Sequence, residues 1–298
     1  MSICYPWFTE IHTQFMRHAQ ANTLHHAILL HAKPGMGKHA YVHQLADDLL
    51  CHHLKFGHAC GQCQSCLLNQ ASSHPDRYVI ASDKQISVNE IREALTKLQE
   101  HAQLRQRKIL IIEYADTMTE SAANALLKTL EEPSLNTFLL LTVSDIQRLL
   151  PTILSRCEKN TLIIPSLDMI RAWLNEHYQI TAADDLMRAY QFAPLSIVNA
   201  LTEDTEMNYN AFKQDLGAIK QGQLNSLEFA QKWHSQAHQS LGWLQLMLQQ
   251  KTAQATDKKE SLRFLAVSDF VSQQMQRIHH QGTNKRLVLS QVIDKVMS

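Results

Sequence analysis

The sequence predicts a parallel α/β domain followed by an all-helical carboxy-terminal part, and three observations carry that expectation. Short apolar runs alternate with helix-length segments as far as Pro165. A stretch resembling a phosphate loop, "HAKPGMGKHA" at residues 31–40, follows the first of those runs. Beyond Pro165 the strand-like runs cease, while polar-apolar helical patterns continue to the end.

The runs are "HAILLH" (26–31), "RYVIA" (77–81), "KILIIE" (108–113), "FLLLTV" (138–143) and "TLIIP" (161–165). Short apolar runs separated by helix-length segments read as buried parallel strands with crossover helices. Between them, "KHAYVHQLADDLLC" places Tyr41, Leu45, Leu49 and Leu50 near one helical stripe. "SVNEIREALTKLQEHAQ" has Ser87 three residues before Glu90, the spacing of a capping box. Further on, "SLDMIRAWLNEHY" reads as one short helix and "DLMRAYQFAPLSIVNALT" as two, broken near Pro194. From about residue 207 long helical patterns dominate, among them "LEFAQKWHSQAHQSLGWLQLMLQQ". The expected partition is 1–165, 166–206 and 207–298, with the second boundary in "TEDTEMN".

A chain of 298 residues with 45% hydrophobic content can build two or three cores. Lys plus Arg and Asp plus Glu balance at 28 each, so no global basic field draws nucleic acid, and any DNA contact is local or shared with partners. "MSICYPWFTEIH" lacks the basic-then-apolar order of a secretory signal, and no stretch is apolar for long enough to span a membrane. The expectation is a soluble, cytoplasmic protein.

In the loop, Gly35, Gly37 and Lys38 are in place, but Ala32 stands where G-x-x-x-x-G-K-[ST] has its first Gly, and His39 where it has Ser or Thr. Lys38 can still attract phosphate. His39 offers no small hydroxyl to Mg²⁺.

"CHHLKFGHACGQCQSC" holds Cys51, Cys60, Cys63 and Cys66, separated by eight, two and two residues. Paired C-x-x-C steps let thiolates share one tetrahedral Zn²⁺, and a fourth Cys nearby closes the site, which argues for a structural ion. His52, His53 and His58 are rival ligands, expected at the surface because four thiolates already fill the shell.

"NALLKTLEEP" (124–133) and "LLPTILSRC" (149–157), with the cysteine module inserted after the phosphate loop, closely resemble the bacterial clamp-loader family within the AAA+ ATPases. The resemblance covers about residues 22–165. It implies an AAA+-type α/β domain with a zinc module at about 51–66, a small helical lid domain (166–206) and an all-α collar or oligomerisation domain (207–298). It also implies partners: the ATP-binding gamma/tau subunits, the clamp-opening delta subunit and, through the complex, the sliding clamp and primed DNA.

Against that family the chain departs at four places. The loop carries Ala32 and His39. At the end of "KILIIEYAD" the Mg²⁺-binding Asp and water-orienting Glu of hydrolysing relatives are replaced by Glu113 and Tyr114, and a phenol is a poor base at neutral pH. Asp116 is expected to cap the following helix. In "APLSIV" Ser196 stands where active relatives place an Arg on the γ-phosphate, and in "LTVSDIQ" either Thr142 or Ser144 serves as the phosphate-sensing polar residue.

Phosphoryl transfer needs positioning and charge neutralisation together. The expectation is therefore a degenerate site that does not hydrolyse ATP, whether or not it binds it, and a chain that is no enzyme by itself. The resemblance further implies that Arg156, in "SRC", acts as an arginine finger on the ATP of a neighbouring subunit, with an intrachain ion pair to Glu158 or Asp145 as the competing reading. The alternatives are an active ATPase subunit of the same fold, or a zinc-dependent DNA-binding protein with a DNA-facing helix in "DKQISVNEIREALTKLQ".

Overall fold

The computed structural model describes residues 5–82, 84–99, 102–104, 107–202, 207–278 and 282–297. They pack as two compact units. The first runs to Trp173 and takes in Ala193–Leu195, while the second holds Leu174–Phe192 and the chain from Ser196 onward.

In the first unit a 3-10 turn, Pro6–Phe8, leads into α1 (Thr9–Gln20). There follow β1 (Ala27–His31), α2 (Lys38–Leu50), α3 (Gln64–Gln70), β2 (Arg77–Ala81), α4 (Val88–Gln99) and β3 (Lys108–Glu113). Then come α5 (Glu120–Glu131), β4 (Thr137–Val143), α6 (Pro151–Leu154), β5 (Glu158–Thr161) and the start of α7 (Leu167–Tyr178). All strands are parallel, in the order β2-β3-β4-β1-β5. Every residue of β3 is buried, and alternate residues such as Leu110 and Ile112 pack with Ile91, Leu98, Leu126 and Leu130. Ile109 and Ile111, which point the other way, are equally buried, so helices cover both faces of the sheet. Tyr41, Leu45, Leu49 and Leu50 are buried as their stripe predicts. The capping box at α4 is made: Ser87 N donates to Glu90 Oε2 at 2.8 Å and Glu90 N to Ser87 Oγ at 3.4 Å. The helical pattern runs on to residue 103; residues 100–101 lie outside the described ones, and 102–103 are not helical.

One strand differs from its reading. The fifth is Glu158–Thr161, pairing Ile28 with Glu158 and His31 with Thr161, whereas Ile163 and Ile164 lie beyond it and are exposed. An edge strand has one neighbour and an open flank, so it needs no apolar run. The apolar residues misled because here they follow the strand rather than form it.

The second unit contains the end of α7, α8 (Asp184–Ala189), most of α9 (Pro194–Thr202), α10 (Tyr209–Lys220) and α11 (Ser226–Trp233), then α12 (Ala237–Gln254), α13 (Lys258–Ile278) and α14 (Lys285–Met297). Pro194 opens α9, where its missing N–H costs nothing. The long pattern at 227–250 is split by a 3-10 turn at His234–Gln236. Asn208 caps α10, and Asn225 with Glu228 forms a capping box on α11. Phe212, Phe229, Trp233 and Trp243 form the core, with Phe212 edge-on to Trp233 (5.4 Å) and to Trp243 (5.3 Å). Both indole N–H groups of this core are satisfied: Trp233 donates to Asp215 Oδ2 at 2.8 Å and Trp243 to the Ala189 carbonyl at 3.2 Å. Residues 203–206, within the expected boundary "TEDTEMN", lie outside the described residues.

Candidate functional site

The phosphate loop lies between β1 and α2 with Gly35 at φ 77° and Gly37 at φ 83°, a left-handed backbone that glycine adopts without strain. Aromatic side chains from the amino-terminal segment close over it. A Cβ added at Gly37 would stand 2.8 Å from the Tyr5 ring, Trp7 Nε1 donates to the Met36 carbonyl at 2.9 Å, and Leu195 N donates to the Gly35 carbonyl at 3.0 Å. Trp173 packs edge-on against Trp7 at 5.1 Å. Gly37→Ala is therefore expected to cost about 1–2 kcal/mol for the backbone alone, plus displacement of a buried ring. Urea denaturation reads this as a lower midpoint at unchanged slope; an unchanged midpoint would contradict the contact.

Lys38 is the first residue of α2 and is only 2% exposed. Its Nζ donates to Ser144 Oγ at 2.8 Å. Burial pulls the ammonium down to about 8, although Asp116 and Glu113 act to hold it up. Ser144, one of the two predicted phosphate-sensing candidates, is thus the one that Lys38 reaches. Thr142, fully buried, instead accepts the Tyr114 N–H at 3.3 Å and sits 3.1 Å from His39 Nδ1.

Glu113 ends β3 as a buried carboxylate held by two imidazoles. His39 Nδ1 lies 3.2 Å from Oε2 and His43 Nε2 lies 2.5 Å from Oε1. Arg77 donates to His43 Nδ1 at 2.5 Å, so the proton of His43 is on Nε2, facing the carboxylate. Hydrogen bonds from His39 and His43 hold Glu113 down at about 2. Where a hydrolysing site opposes a small hydroxyl to a carboxylate, each free for Mg²⁺, this one opposes an imidazole already bonded to the acid. Tyr114 offers no replacement base, its ring lying against His39 at 4.2 Å.

Asp116 does not cap the helix after it. Thr119 caps α5 by accepting Ala122 N, and Asp116 Oδ2 accepts Ser144 N at 3.2 Å and Asp145 N at 3.0 Å. The fold uses the carboxylate across the sheet end, fixing the loop that carries Ser144. Its Oδ1 is buried, with no hydrogen-bond partner among the described residues.

Arg156 follows α6 with its side chain one-third exposed. It pairs with neither Glu158 nor Asp145. Its Nε donates to Glu131 Oε1 at 2.8 Å, a second nitrogen reaches the same oxygen, and Nη1 donates to the Thr152 carbonyl at 2.9 Å. Ser196, the other expected phosphate-side position, follows Leu195, whose N–H is on the loop.

The four cysteines meet. Their sulfurs stand 3.9 Å apart for Cys51–Cys63 and Cys60–Cys66, 3.4 Å for Cys63–Cys66 and 3.6 Å for Cys66–Cys51. A disulfide needs about 2.05 Å, whereas sulfurs about 2.3 Å from a common tetrahedral ion lie about 3.8 Å from one another. Backbone amides point at the thiols: His53 N and Cys60 N donate to Cys51 Sγ, and Gln62 N and Cys63 N to Cys60 Sγ. Those last two donors bring Cys60 down to about 6, while burial pushes Cys66 up to about 12. Four such thiols could hold a metal ion and fit a closed tetrahedral site. Of the rival histidines, His53 and His58 are exposed as expected, but His52 is half-buried with Nε2 enclosed.

The residues that sequence reasoning missed are His43, Arg77, Glu131 and the Tyr5–Trp7 pair. His43 was accessible, since i and i+4 share a helical face and His39 was already singled out in the loop. Arg77 and Glu131 reach the site through tertiary packing and leave no local signal.

The family model described as "DNA polymerase III, delta subunit" matches residues 8–164. The chain is 38% identical to DNA polymerase III subunit delta' of Escherichia coli (strain K12), over 62% of this chain and 56% of that protein. It is 34% identical to the Yersinia pestis subunit delta' over 82% and 75%, and 29% identical to the Pseudomonas aeruginosa one over 98% and 97%. The match to the Escherichia coli relative thus spans little more than half of its length. A DNA polymerase III gamma subunit-related protein of Thermotoga maritima shares the fold, with a TM-score of 0.55 at 18% identity over 95% of this chain and 97% of that one. With the family model matching more than half of the chain and the curated relatives agreeing in name, this chain belongs to the DNA polymerase III delta subunit family, and its relatives are delta' subunits.

Proposed function

We propose that this chain is the non-hydrolysing, delta'-type subunit of a clamp loader, helping to load a sliding clamp onto primed DNA as part of a DNA polymerase III holoenzyme. The observation that carries the reading is the His39–Glu113–His43 cluster, which turns the site's acidic group inward. Its partners in this reading are gamma/tau and delta subunits, and its division of labour follows the partition 1–165 as AAA+-type domain, 166–206 as lid and 207–298 as collar. Zn²⁺ is the ion proposed for Cys51, Cys60, Cys63 and Cys66, with a structural role. No helix among the described residues is long and apolar enough to cross a membrane.

Arg156 is the group proposed to take part in chemistry, as a finger on a neighbour's ATP. Its pairing with Glu131 supports a parked side chain rather than a buried structural one, since a half-exposed ion pair contributes only about 0–1 kcal/mol and is readily exchanged. A guanidinium keeps its charge and donates several bonds to oxygens that gain charge during transfer.

Purified chain is expected to turn over ATP far more slowly than about one per second, the low end of ordinary enzymes, with or without primed DNA. Lys38→Ala should leave that background unchanged. The surviving Lys38–Ser144 contact favours a second reading, an active ATPase, and steady turnover abolished by Lys38→Ala would establish it instead.

A further inference from the structure

We propose that His12, Asp48 and His58 form a second metal site, for a divalent transition ion such as Zn²⁺, separate from the four-cysteine cluster. His12 Nε2 stands 3.5 Å and His58 Nδ1 3.4 Å from the same oxygen, Asp48 Oδ2. The three ligand atoms lie within 4.8 Å of one another. These separations are long for charge-assisted hydrogen bonds, which close to about 2.7–2.9 Å. They match ligands on one tetrahedral ion: with bonds of about 2.0–2.1 Å, neighbouring donors fall about 3.3–3.4 Å apart.

Three segments bring the donors together. His12 lies on α1, Asp48 in the last turn of α2, and His58 in the tight turn Lys55–His58, closed by Lys55 N to His58 O (2.8 Å) and His58 N to Lys55 O (3.0 Å). Phe56 and Gly57 take positive φ at the tip, as a two-residue hairpin turn requires. Asp48 is 2% exposed, and its Oδ1 accepts the Ala59 N–H at 2.5 Å, leaving Oδ2 as a monodentate donor held in orientation. The two imidazoles stack at 4.6 Å with 7° between planes, so no ion lies in both ring planes until one ring rotates, and the exposed His58 has the room to do so.

Besides that rotation, two hydrogen-bond contacts must yield when an ion enters. His12 Nε2 lies 3.2 Å from the Gly57 carbonyl and must lose its proton, and Gln44 Nε2, 3.3 Å from His58 Nδ1, must turn away. Both partners border a cavity of about 360 Å³ that opens onto His12 and His58, so each has room to move and the ion keeps a position for water. Two imidazoles and one carboxylate with an open fourth place suit a borderline ion better than Ca²⁺ or Mg²⁺, which prefer all-oxygen shells.

The test is metal stoichiometry on the full chain, with Co²⁺ as the spectroscopic probe. Wild type should hold two equivalents of Zn²⁺ by elemental analysis, and His58→Ala and His12→Ala one each. In the Co²⁺ form both variants should keep the thiolate-to-metal charge-transfer band of the cysteine site and lose the weaker absorption of the nitrogen-oxygen site. His58 is exposed, so its variant should fold, with an unchanged far-ultraviolet spectrum. A rise in melting midpoint on adding Zn²⁺ should accompany the second equivalent in wild type and vanish in His58→Ala. One equivalent in wild type, or a second equivalent that survives in both variants, overturns the proposal. Neither result bears on the clamp-loader reading, which uses none of these residues.

Discussion

Arg156→Ala, assembled with its ATPase partners, is expected to lose hydrolysis at the one neighbouring site it serves by about a thousandfold, the usual worth of an arginine finger. The other sites would keep their own fingers, so total turnover falls only in part. The measurement is therefore site-resolved single-turnover hydrolysis alongside the assembly mass. Assembly should persist, because the side chain is a surface group whose pairing with Glu131 is worth little. Glu131→Gln provides the control that separates function from structure. It removes the parking carboxylate but leaves the guanidinium, so hydrolysis should be kept or raised if Arg156 acts in trans. If Arg156→Ala and Glu131→Gln behaved alike, with wild-type rates at every site, the finger would have to be given up and the ion pair read as purely intrachain.

The central strands β1, β3 and β4 were legible because they are buried on both faces and must be written in continuous apolar letters; β2, an edge strand with only Ile80 buried, was legible because it carries an apolar run all the same. β5 was not legible, because Glu158–Thr161 needs only its backbone to pair with β1. The same distinction governs the site. Gly37 and Lys38 could be read because a loop that cradles phosphate imposes residue types locally. The rest of the site depends instead on distances: nothing adjacent in sequence announces that Arg77 reaches the His43 that holds Glu113, or that Asp116 spans to Ser144 and Asp145. Asp116 was misread for an instructive reason. Asp suits a helix start, but Thr119 stands nearer the start of α5 and takes that role, which frees the carboxylate for a tertiary contact.

Cys63→Ser is expected to release the metal of the four-cysteine site and to unfold the segment around it while the sheet stays folded. The module has little else to hold it. Cys51, Ser65, Cys66 and Asn69 are buried, but α3 is only seven residues long and the turns before it carry exposed side chains, Phe56 among them. Structural Zn²⁺ supplies about 10–16 kcal/mol of apparent binding free energy in small zinc modules, and there it is folding free energy. Four thiols at 3.4–3.9 Å with no ion between them have no comparable attraction, and the amides aimed at Cys51 and Cys60 are arranged for thiolates. The sheet draws its stability elsewhere, from Leu110, Ile112, Leu139 and Leu141 with the helices that cover them. Amide hydrogen exchange should therefore rise by orders of magnitude across residues 51–70 in Cys63→Ser and stay near wild type in β1, β3 and β4. Elemental analysis should show the loss of the equivalent that gives thiolate-to-metal charge transfer with Co²⁺. Protein purified without chelator that carried no metal on its thiols, or a Cys63→Ser module as protected as wild type, would mean that the cysteines pack as ordinary small apolar side chains.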